Sequence, residues 1–212
     1  MSRLLKLALE AADGKVVKEA EHTIYGRLVD HSQLKKASSM EHHEQWEVRI
    51  EKTEEIAGSG SMRVRKIQVG DSEPTYEFTT KVKTKEDNLK LECSVLTTAD
   101  NFMQFQFLSG KGMIKDRFHF PIIGTELVWE VDMYLKEDGT YHDWCKIDLE
   151  TDDLNAPLPE LPIEFSDVIL PEGMGEDTPE ERNKKLDILY EKVFLSKNVF
   201  LKKVSEKQSE NS

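Results

Sequence analysis

Three predicted strands of this chain carry pairs of basic side chains, and three others carry pairs of carboxylates, always two residues apart. Because successive side chains of a β-strand point to opposite faces, the two members of each pair share one face. Grouped cations can hold a phosphate chain, and grouped carboxylates can hold Mg²⁺ or Mn²⁺, which prefer oxygen ligands. The basic pairs are Arg63/Arg65, Lys81/Lys83 and Lys115/Arg117, and the acidic pairs are Glu19/Glu21, Glu130/Asp132 and Asp148/Glu150.

The elements that must position these pairs are short strands separated by Gly-rich and Asp-rich turns. Alternation of apolar and polar residues predicts strands, and Thr178, Pro179 and Glu181 predict the start of a late helix. Residues 31–40 fit a short helix or a loop. About eight or nine antiparallel strands suggest a barrel, and we predict an α+β, mainly β fold, namely an antiparallel eight-stranded barrel with flanking helices. The predicted strands cover residues 16–29, 45–53, 62–69, 75–84, 88–98, 101–108, 113–120, 126–135 and 141–150.

Nearly every predicted strand has one apolar face and one charged face, which leaves two arrangements open. In the first, the charged face is the solvated outside of the sheet. In the second, it lines the interior of the barrel, since same-sign pairs within a strand repel each other unless opposite charges lie nearby. The second arrangement would give a cationic wall and an anionic wall, with a divalent metal between phosphate and carboxylates.

Composition excludes several classes of protein. The 212 residues carry a net charge of −12, which argues against general DNA binding. Cys93 and Cys145 form no CxxC motif, so we interpret them as reduced thiols in a cytoplasmic protein. Neither a signal peptide nor a membrane span is predicted. His22, His42 and His43 are interpreted as surface histidines.

We expect a single domain over residues 1–200, with a polar, disordered tail at 201–212. Within it, residues 1–14 form an N-terminal helical extension. Ser2 is a candidate N-cap of this helix, and its apolar set is Leu4, Leu5, Leu7 and Leu9. Such a helix packs on the outside of the domain or binds a protein partner.

The order of charged motifs resembles the CYTH, or triphosphate tunnel metalloenzyme, superfamily. This superfamily includes thiamine triphosphatase, class IV adenylate cyclases, inorganic triphosphatases and RNA triphosphatases of the fungal and viral type. Its pattern is ExExK on the first strand, a helix, a second strand, an RxR strand, a TxKxK strand, later basic positions and two acidic strands. The matching stretches here are Glu19-Ala20-Glu21, Arg63-Val64-Arg65, Thr79-Thr80-Lys81-Val82-Lys83, Lys115-Asp116-Arg117, Glu130-Val131-Asp132 and Asp148-Leu149-Glu150.

The resemblance implies an eight-stranded tunnel that binds a triphosphate-containing nucleotide or polyphosphate and hydrolyses it with Mg²⁺ or Mn²⁺. It implies phosphate binding by Arg63, Arg65, Lys81, Lys83, Lys115 and Arg117. It implies metal binding by Glu19, Glu21, Glu130, Asp132, Asp148 and Glu150, with catalytic roles for Glu130, Asp132 and Lys81.

The first motif departs from the pattern, which leaves alternatives open. Thr23 stands where the family has the lysine of ExExK, and Glu47/Glu51 is a rival placement for the two glutamates. One alternative function is a non-catalytic protein that binds or sequesters nucleotides on the same fold, in the manner of a viral accessory protein. Another is an interaction protein that keeps only the fold.

Overall fold

The computed structural model describes residues 17–18, 21–50, 60–83, 90–109, 111–151, 153, 156–171, 173–193 and 195–196. These residues form an antiparallel sheet with a 3₁₀ helix at His31–Lys36 and two α-helices, α1 at Ala99–Leu108 and α2 at Pro179–Val193. The strands are β1 (Val17–Lys18), β2 (Glu21–Leu28), β3 (Ser39–Ile50), β4 (Gly60–Val69), β5 (Thr75–Lys83), β6 (Lys90–Leu96), β7 (Lys111–Pro121), β8 (Val128–Leu135), β9 (Tyr141–Glu150), β10 (Phe165–Ile169) and β11 (Leu195–Ser196).

The sheet follows the order β1-β6-β5-β4-β3-β7-β8-β9-β2-β10, and β11 pairs with β7. Hydrogen bonds between the described residues leave this path unclosed. However, Lys18 pairs with Leu91 in β6, and Glu21 pairs with Glu150 in β9. Three Cα–Cα steps separate Lys18 from Glu21 and span at most about 11 Å. The sheet therefore curls until β6 and β9 flank one segment of chain, and the predicted mainly antiparallel α+β architecture is confirmed.

The outer face of the curled sheet is apolar and carries most of the core. Trp129, Val131 and Met133 alternate along β8 with charged or polar neighbours and are 0–1% exposed. They pack with apolar residues of β2 and β9, with Leu34 of the 3₁₀ helix and with Ile163. The alternation predicted from the sequence thus separates an apolar outer face from a charged inner face.

Helix α2 covers one end of the inner face. Leu189 is buried there and packs with Tyr25, Met113 and Tyr134, which lie on the inner face of β2, β7 and β8. The helix starts as predicted, because Thr178 Oγ1 accepts a hydrogen bond from the Glu181 backbone N–H at 3.3 Å. The Glu181 carboxylate in return accepts one from the Thr178 backbone N–H at 3.0 Å, which completes a capping box.

Two predictions about secondary structure are wrong. Residues 101–108 form part of α1 and not a strand, because Thr98 caps the helix by accepting from the Asn101 backbone N–H at 3.2 Å. Strand β10 is missing from the predicted strands, which end at residue 150. The predicted extension at 1–14, the tail at 201–212, Glu19 and Glu51 lie outside the described residues. No described helix is long and apolar enough to cross a membrane.

Candidate functional site: the charged inner face

One group of charges on the inner face comes from β4, β5 and β6, and we call it the β4–β6 cluster. Arg63 donates to the Glu92 carboxylate at 3.0 Å, and Arg65 donates to Glu77. Lys81 forms an ion pair with Glu92. These contacts follow from the register, which places Arg65 opposite Glu77 and Lys81 opposite Glu92. The cluster thus neutralises each of its cations with a carboxylate of a neighbouring strand.

A second group, the β7–β9 cluster, centres on the fully buried carboxylate of Asp132. Arg117 Nε donates to Asp132 Oδ1 at 2.7 Å, and a terminal nitrogen donates to Oδ2 at 3.0 Å. Lys115 forms a second ion pair with the same carboxylate. Arg117 also pairs with Glu130 and lies 4.0 Å from an oxygen of Asp148. One carboxylate therefore holds two cations where almost no water reaches them.

Burial and pairing pull the pKa values in this cluster in opposite directions. Burial lowers the pKa of Lys115 to about 7, with repulsion from Arg117 acting in the same direction. Burial alone would raise the pKa of Asp132, but Lys115 and Arg117 outweigh it and hold that pKa well below its usual value. Arg117 stays cationic, because Asp132, Glu130 and Asp148 raise its pKa against the cost of burial.

Strand β3 contributes residues to the inner face that the sequence did not single out. Glu41 lies opposite Arg117, and His43 lies opposite Lys115. His43 is 1% exposed, and its Nε2 lies 2.8 Å from Glu41 Oε2. Burial lowers the pKa of His43 to about 4, so its ring is neutral at pH 7. The interpretation of His43 and His22 as surface histidines is wrong, since both are buried.

The end of the inner face away from α2 is rich in carboxylates. Glu21 lies directly opposite Glu150, and Glu130 lies directly opposite Asp148. Burial raises the pKa of Glu130, and Asp132, Asp148 and Glu150 add repulsion, while Arg117 opposes the shift. Like charges opposite each other destabilise a sheet, so this end of the site favours an added cation or proton.

Three of these carboxylates, Glu130, Asp132 and Asp148, form ion pairs. Asp132 is held by Lys115 and Arg117, and Asp148 by Lys146 and by the Thr23 hydroxyl at 2.8 Å. Across the described ranges, no three His, Cys, Asp or Glu side chains converge in a way that would hold a metal ion.

Two buried donors of the β4–β6 cluster have no acceptor. The Nε–H groups of Arg63 and Arg65 are buried, and neither has a hydrogen-bond partner within the described part of the chain. Burial lowers the pKa of Arg63, and the neighbouring Arg65 lowers it further. A buried unsatisfied donor costs about 1–3 kcal/mol, so two side by side indicate a position for an anion.

Most of the predicted site residues share the inner face. The side chains of Arg63, Arg65, Lys81, Lys115, Arg117, Glu21, Glu130, Asp132, Asp148 and Glu150 all lie on this face by register. The backbone of Lys83 pairs with Lys90, but its side chain lies outside the description. Residues missed by the sequence reasoning include Glu41, Glu77 and Glu92. The sequence does carry a signal for Glu77, because it lies two residues before Thr79 and four before Lys81 and so shares their face of the strand.

By its fold and its inner face, the chain belongs to the class of curled antiparallel sheets with a charged interior. The chain is structurally similar to a protein of Hippeastrum described as an adenylyl cyclase with a dominant triphosphatase activity. That similarity has 11% identity and a TM-score of 0.40, and it covers 63% of this chain and 80% of the other. The chain is also similar to the inorganic triphosphatase NE1496, with 13% identity and a TM-score of 0.41, over 74% of this chain and 89% of the other.

A second structure of NE1496 has 12% identity and a TM-score of 0.36, over 67% of this chain and 84% of the other. No family model and no curated protein matches the chain. These are similarities of structure to proteins that are described as triphosphatases. At these identities and TM-scores, ligand, metal and activity have to be inferred from the side chains of this chain.

Proposed function

We propose that the inner face binds a triphosphate-containing nucleotide or polyphosphate. The observation that carries this proposal is the pair of buried, unpartnered Nε–H groups on Arg63 and Arg65. Both belong to guanidinium groups, whose planar set of donors matches the oxygens of a phosphate. An anion between them would accept both hydrogen bonds and would oppose the burial and the repulsion from Arg65 that lower the pKa of Arg63.

In this proposal, binding proceeds by exchange of ion pairs. Without ligand, Arg63 is held by Glu92 and Arg117 by Asp132, so each cation already has a partner. A phosphate chain that spans both clusters competes with these carboxylates for the same donors. The carboxylates it displaces are then left without a cation, and uptake of the anion is coupled to uptake of a cation or of protons.

A second candidate is hydrolysis of the bound triphosphate with Mg²⁺ or Mn²⁺. The observation that favours it is the carboxylate-rich end, where Glu21 faces Glu150 and the pKa of Glu130 is raised. Glu21, Glu130 and Glu150 would hold the metal, which would neutralise phosphate charge and activate a water. Burial raises the pKa of Glu130, which is the direction that favours proton transfer by a carboxyl group. The roles of Asp132 and Lys81 in catalysis remain predictions.

Calorimetric titration with tripolyphosphate tests binding, and the chain offers a matched control. Arg65 and Lys66 are neighbours on β4, but they lie on opposite faces, and each pairs with one glutamate. We expect Arg65→Gln to weaken binding roughly 10- to 100-fold, because it removes one to two charge-assisted hydrogen bonds. Lys66→Gln should bind as the unmodified chain does. Equal affinity in all three proteins would contradict the proposal.

Release of phosphate separates the two candidate functions. The unmodified chain is incubated with tripolyphosphate and ATP, with Mg²⁺, with Mn²⁺ and with chelator. Metal-dependent release that is lost in Glu130→Gln supports hydrolysis. Stoichiometric binding with no release leaves a binding or sequestering protein. Release that is unchanged by Glu130→Gln and by chelator would contradict the hydrolytic candidate.

A further inference from the structure

Strand β3 lies between the two charged clusters, and His43 is a side chain of this strand that neighbours both. His43 lies directly opposite Lys115 of β7. On the other side, Arg65 of β4 pairs with Gln45, two residues further along β3, so Arg65 is a diagonal neighbour of His43. Because β3 separates β4 from β7 in the sheet, the shortest path of a phosphate chain from Arg65 to Lys115 passes the ring of His43.

One ring nitrogen of His43 has a hydrogen-bond partner and the other has none. Nε2 lies 2.8 Å from Glu41 Oε2, and this contact lowers the pKa of Glu41, so Glu41 is an ionised carboxylate that can only accept. Nε2 therefore carries the proton, and Nδ1 presents a lone pair. Nδ1 is buried, and the described part of the chain offers it no hydrogen-bond partner. A buried polar atom left unpaired costs about 1–3 kcal/mol, so Nδ1 indicates a position for a ligand atom.

The surroundings of His43 explain why its ring is neutral without a ligand. Burial is the largest cause that lowers its pKa to about 4, and the cations Lys115 and Arg117 act in the same direction. The hydrogen bond to Glu41 and the negative charge of Asp132 oppose the shift. An anion bound to Lys115 and Arg117 would place negative charge beside the ring, which raises the pKa of His43.

We propose that His43 takes a proton from solvent as the phosphate chain enters, and that its Nδ1–H then donates to a phosphate oxygen. This inference rests on the phosphate binding proposed above, and it names one carrier of the protons that are taken up with the anion. The ring then has two N–H groups, one on the Glu41 carboxylate and one on the phosphate. A neutral ring becomes an additional cation between the two clusters, so the affinity for phosphate rises as the pH falls.

Nitrogen-15 NMR of the full chain tests this assignment directly. Long-range correlations between the ring nitrogens and the carbon-bound ring protons show which nitrogen carries a proton. The signals of His43 are identified by their absence in His43→Gln. At about pH 6, we expect a bare Nδ1 without ligand and a protonated Nδ1 at saturating tripolyphosphate. A bare Nδ1 at saturating ligand would overturn the inference.

Calorimetric titration with tripolyphosphate at a series of pH values is a second test, and the chain offers a matched control. His42 precedes His43 on β3 but lies on the outer face, where its Nδ1 is 2.6 Å from Asp116 Oδ1. Between about pH 7.5 and 5.5, the unmodified chain and His42→Gln should gain roughly five-fold or more in affinity beyond the gain of His43→Gln.

The outcomes separate this inference from the proposed function. An equal gain in affinity in all three proteins would overturn the role of His43 and leave phosphate binding intact. A complete lack of tripolyphosphate binding in the unmodified chain would overturn the proposed function as well.

Discussion

Replacement of Asp132 by Asn is the most informative single change, because this carboxylate holds two cations in the interior. Asp132 is 0% exposed and contacts Lys115 and both Nε and a terminal nitrogen of Arg117. Asparagine keeps the size of the side chain but removes the charge. The variant therefore leaves Lys115 without this carboxylate, and Arg117 keeps Glu130 and the more distant Asp148.

The expected loss of stability is large. Breaking a buried ion pair by removing one partner costs about 3–5 kcal/mol. In a chain of this size, 1 kcal/mol shifts the melting temperature by roughly 2–4 °C, so a fall of about 6–20 °C is expected. The matched control is Asp143→Asn, which removes one of the two carboxylate partners of Arg27, in a pair whose side chains are 46% and 62% exposed. The control should change the free energy of unfolding by less than about 1 kcal/mol.

The same variant distinguishes two roles of Asp132. In one, Asp132 is an ion-pair partner that phosphate displaces, and in the other it is a metal ligand that binding requires. If phosphate competes with Asp132 for Lys115 and Arg117, Asp132→Asn binds tripolyphosphate more tightly, and the ligand raises its melting temperature more than that of the unmodified chain. Thermal shift and calorimetry with and without Mn²⁺ measure both effects. Weaker binding in the folded variant, or a loss of stability no larger than that of Asp143→Asn, would refute the reasoning.

Three further predictions concern single residues of the fold. Burial lowers the pKa of His43 from 6.5 to about 4, so this ring contributes stability that is full above pH 6.5 and is lost as the pH falls to 4, about 3 kcal/mol in all. His43→Gln should therefore reduce the fall in the free energy of unfolding between pH 6.5 and 4. Urea unfolding at a series of pH values measures this. Thr178→Ala should cost about 1 kcal/mol by removing the cap of α2, and an unchanged urea midpoint would contradict the cap. Gly112→Ala should cost roughly 1–3 kcal/mol, since a Cβ there would lie 2.6 Å from the Trp46 ring, and thermal unfolding checks it.

Period-two alternation was enough to predict which residues share the inner face. Arg63 and Arg65, two residues apart on β4, point inward, while Val64 between them is buried on the outer face. The strand at Tyr141–Glu150 has the bounds that the pattern predicts. Alternation is a local property of the backbone, so it can be read without knowledge of the partners of a strand.

The pairing of opposite charges was not readable in this way. Separate cationic and anionic walls were expected, whereas basic β7 lies beside acidic β8, and Lys115 and Arg117 both contact Asp132. Which strands become neighbours depends on the topology of the whole sheet, and motif spacing within one strand does not encode it. Glu92 was missed for the same reason, because its partners Arg63 and Lys81 lie on other strands.

Helix α1 was missed because its aromatic residues imitate a strand. Phe105 and Phe107 alternate with glutamines, and aromatic residues favour strands. The competing signal was the cap at Thr98 together with the i, i+3 spacing of Phe102 and Phe105, which pack toward the sheet. Tertiary packing of one helical face against Trp46 and Val64 decides the outcome.

A crystal structure with tripolyphosphate and Mn²⁺ would show whether the inner face binds a phosphate chain by exchange of its ion pairs. We expect phosphate oxygens within about 2.7–3.2 Å of the Nε atoms of Arg63 and Arg65, with the side chain of Glu92 or Asp132 moved away from its cation. An anomalous manganese signal beside Glu21, Glu130 or Glu150 would support hydrolysis as well. Tripolyphosphate bound only on the outer surface, or an inner face with every ion pair unchanged at saturating ligand, would contradict the claim.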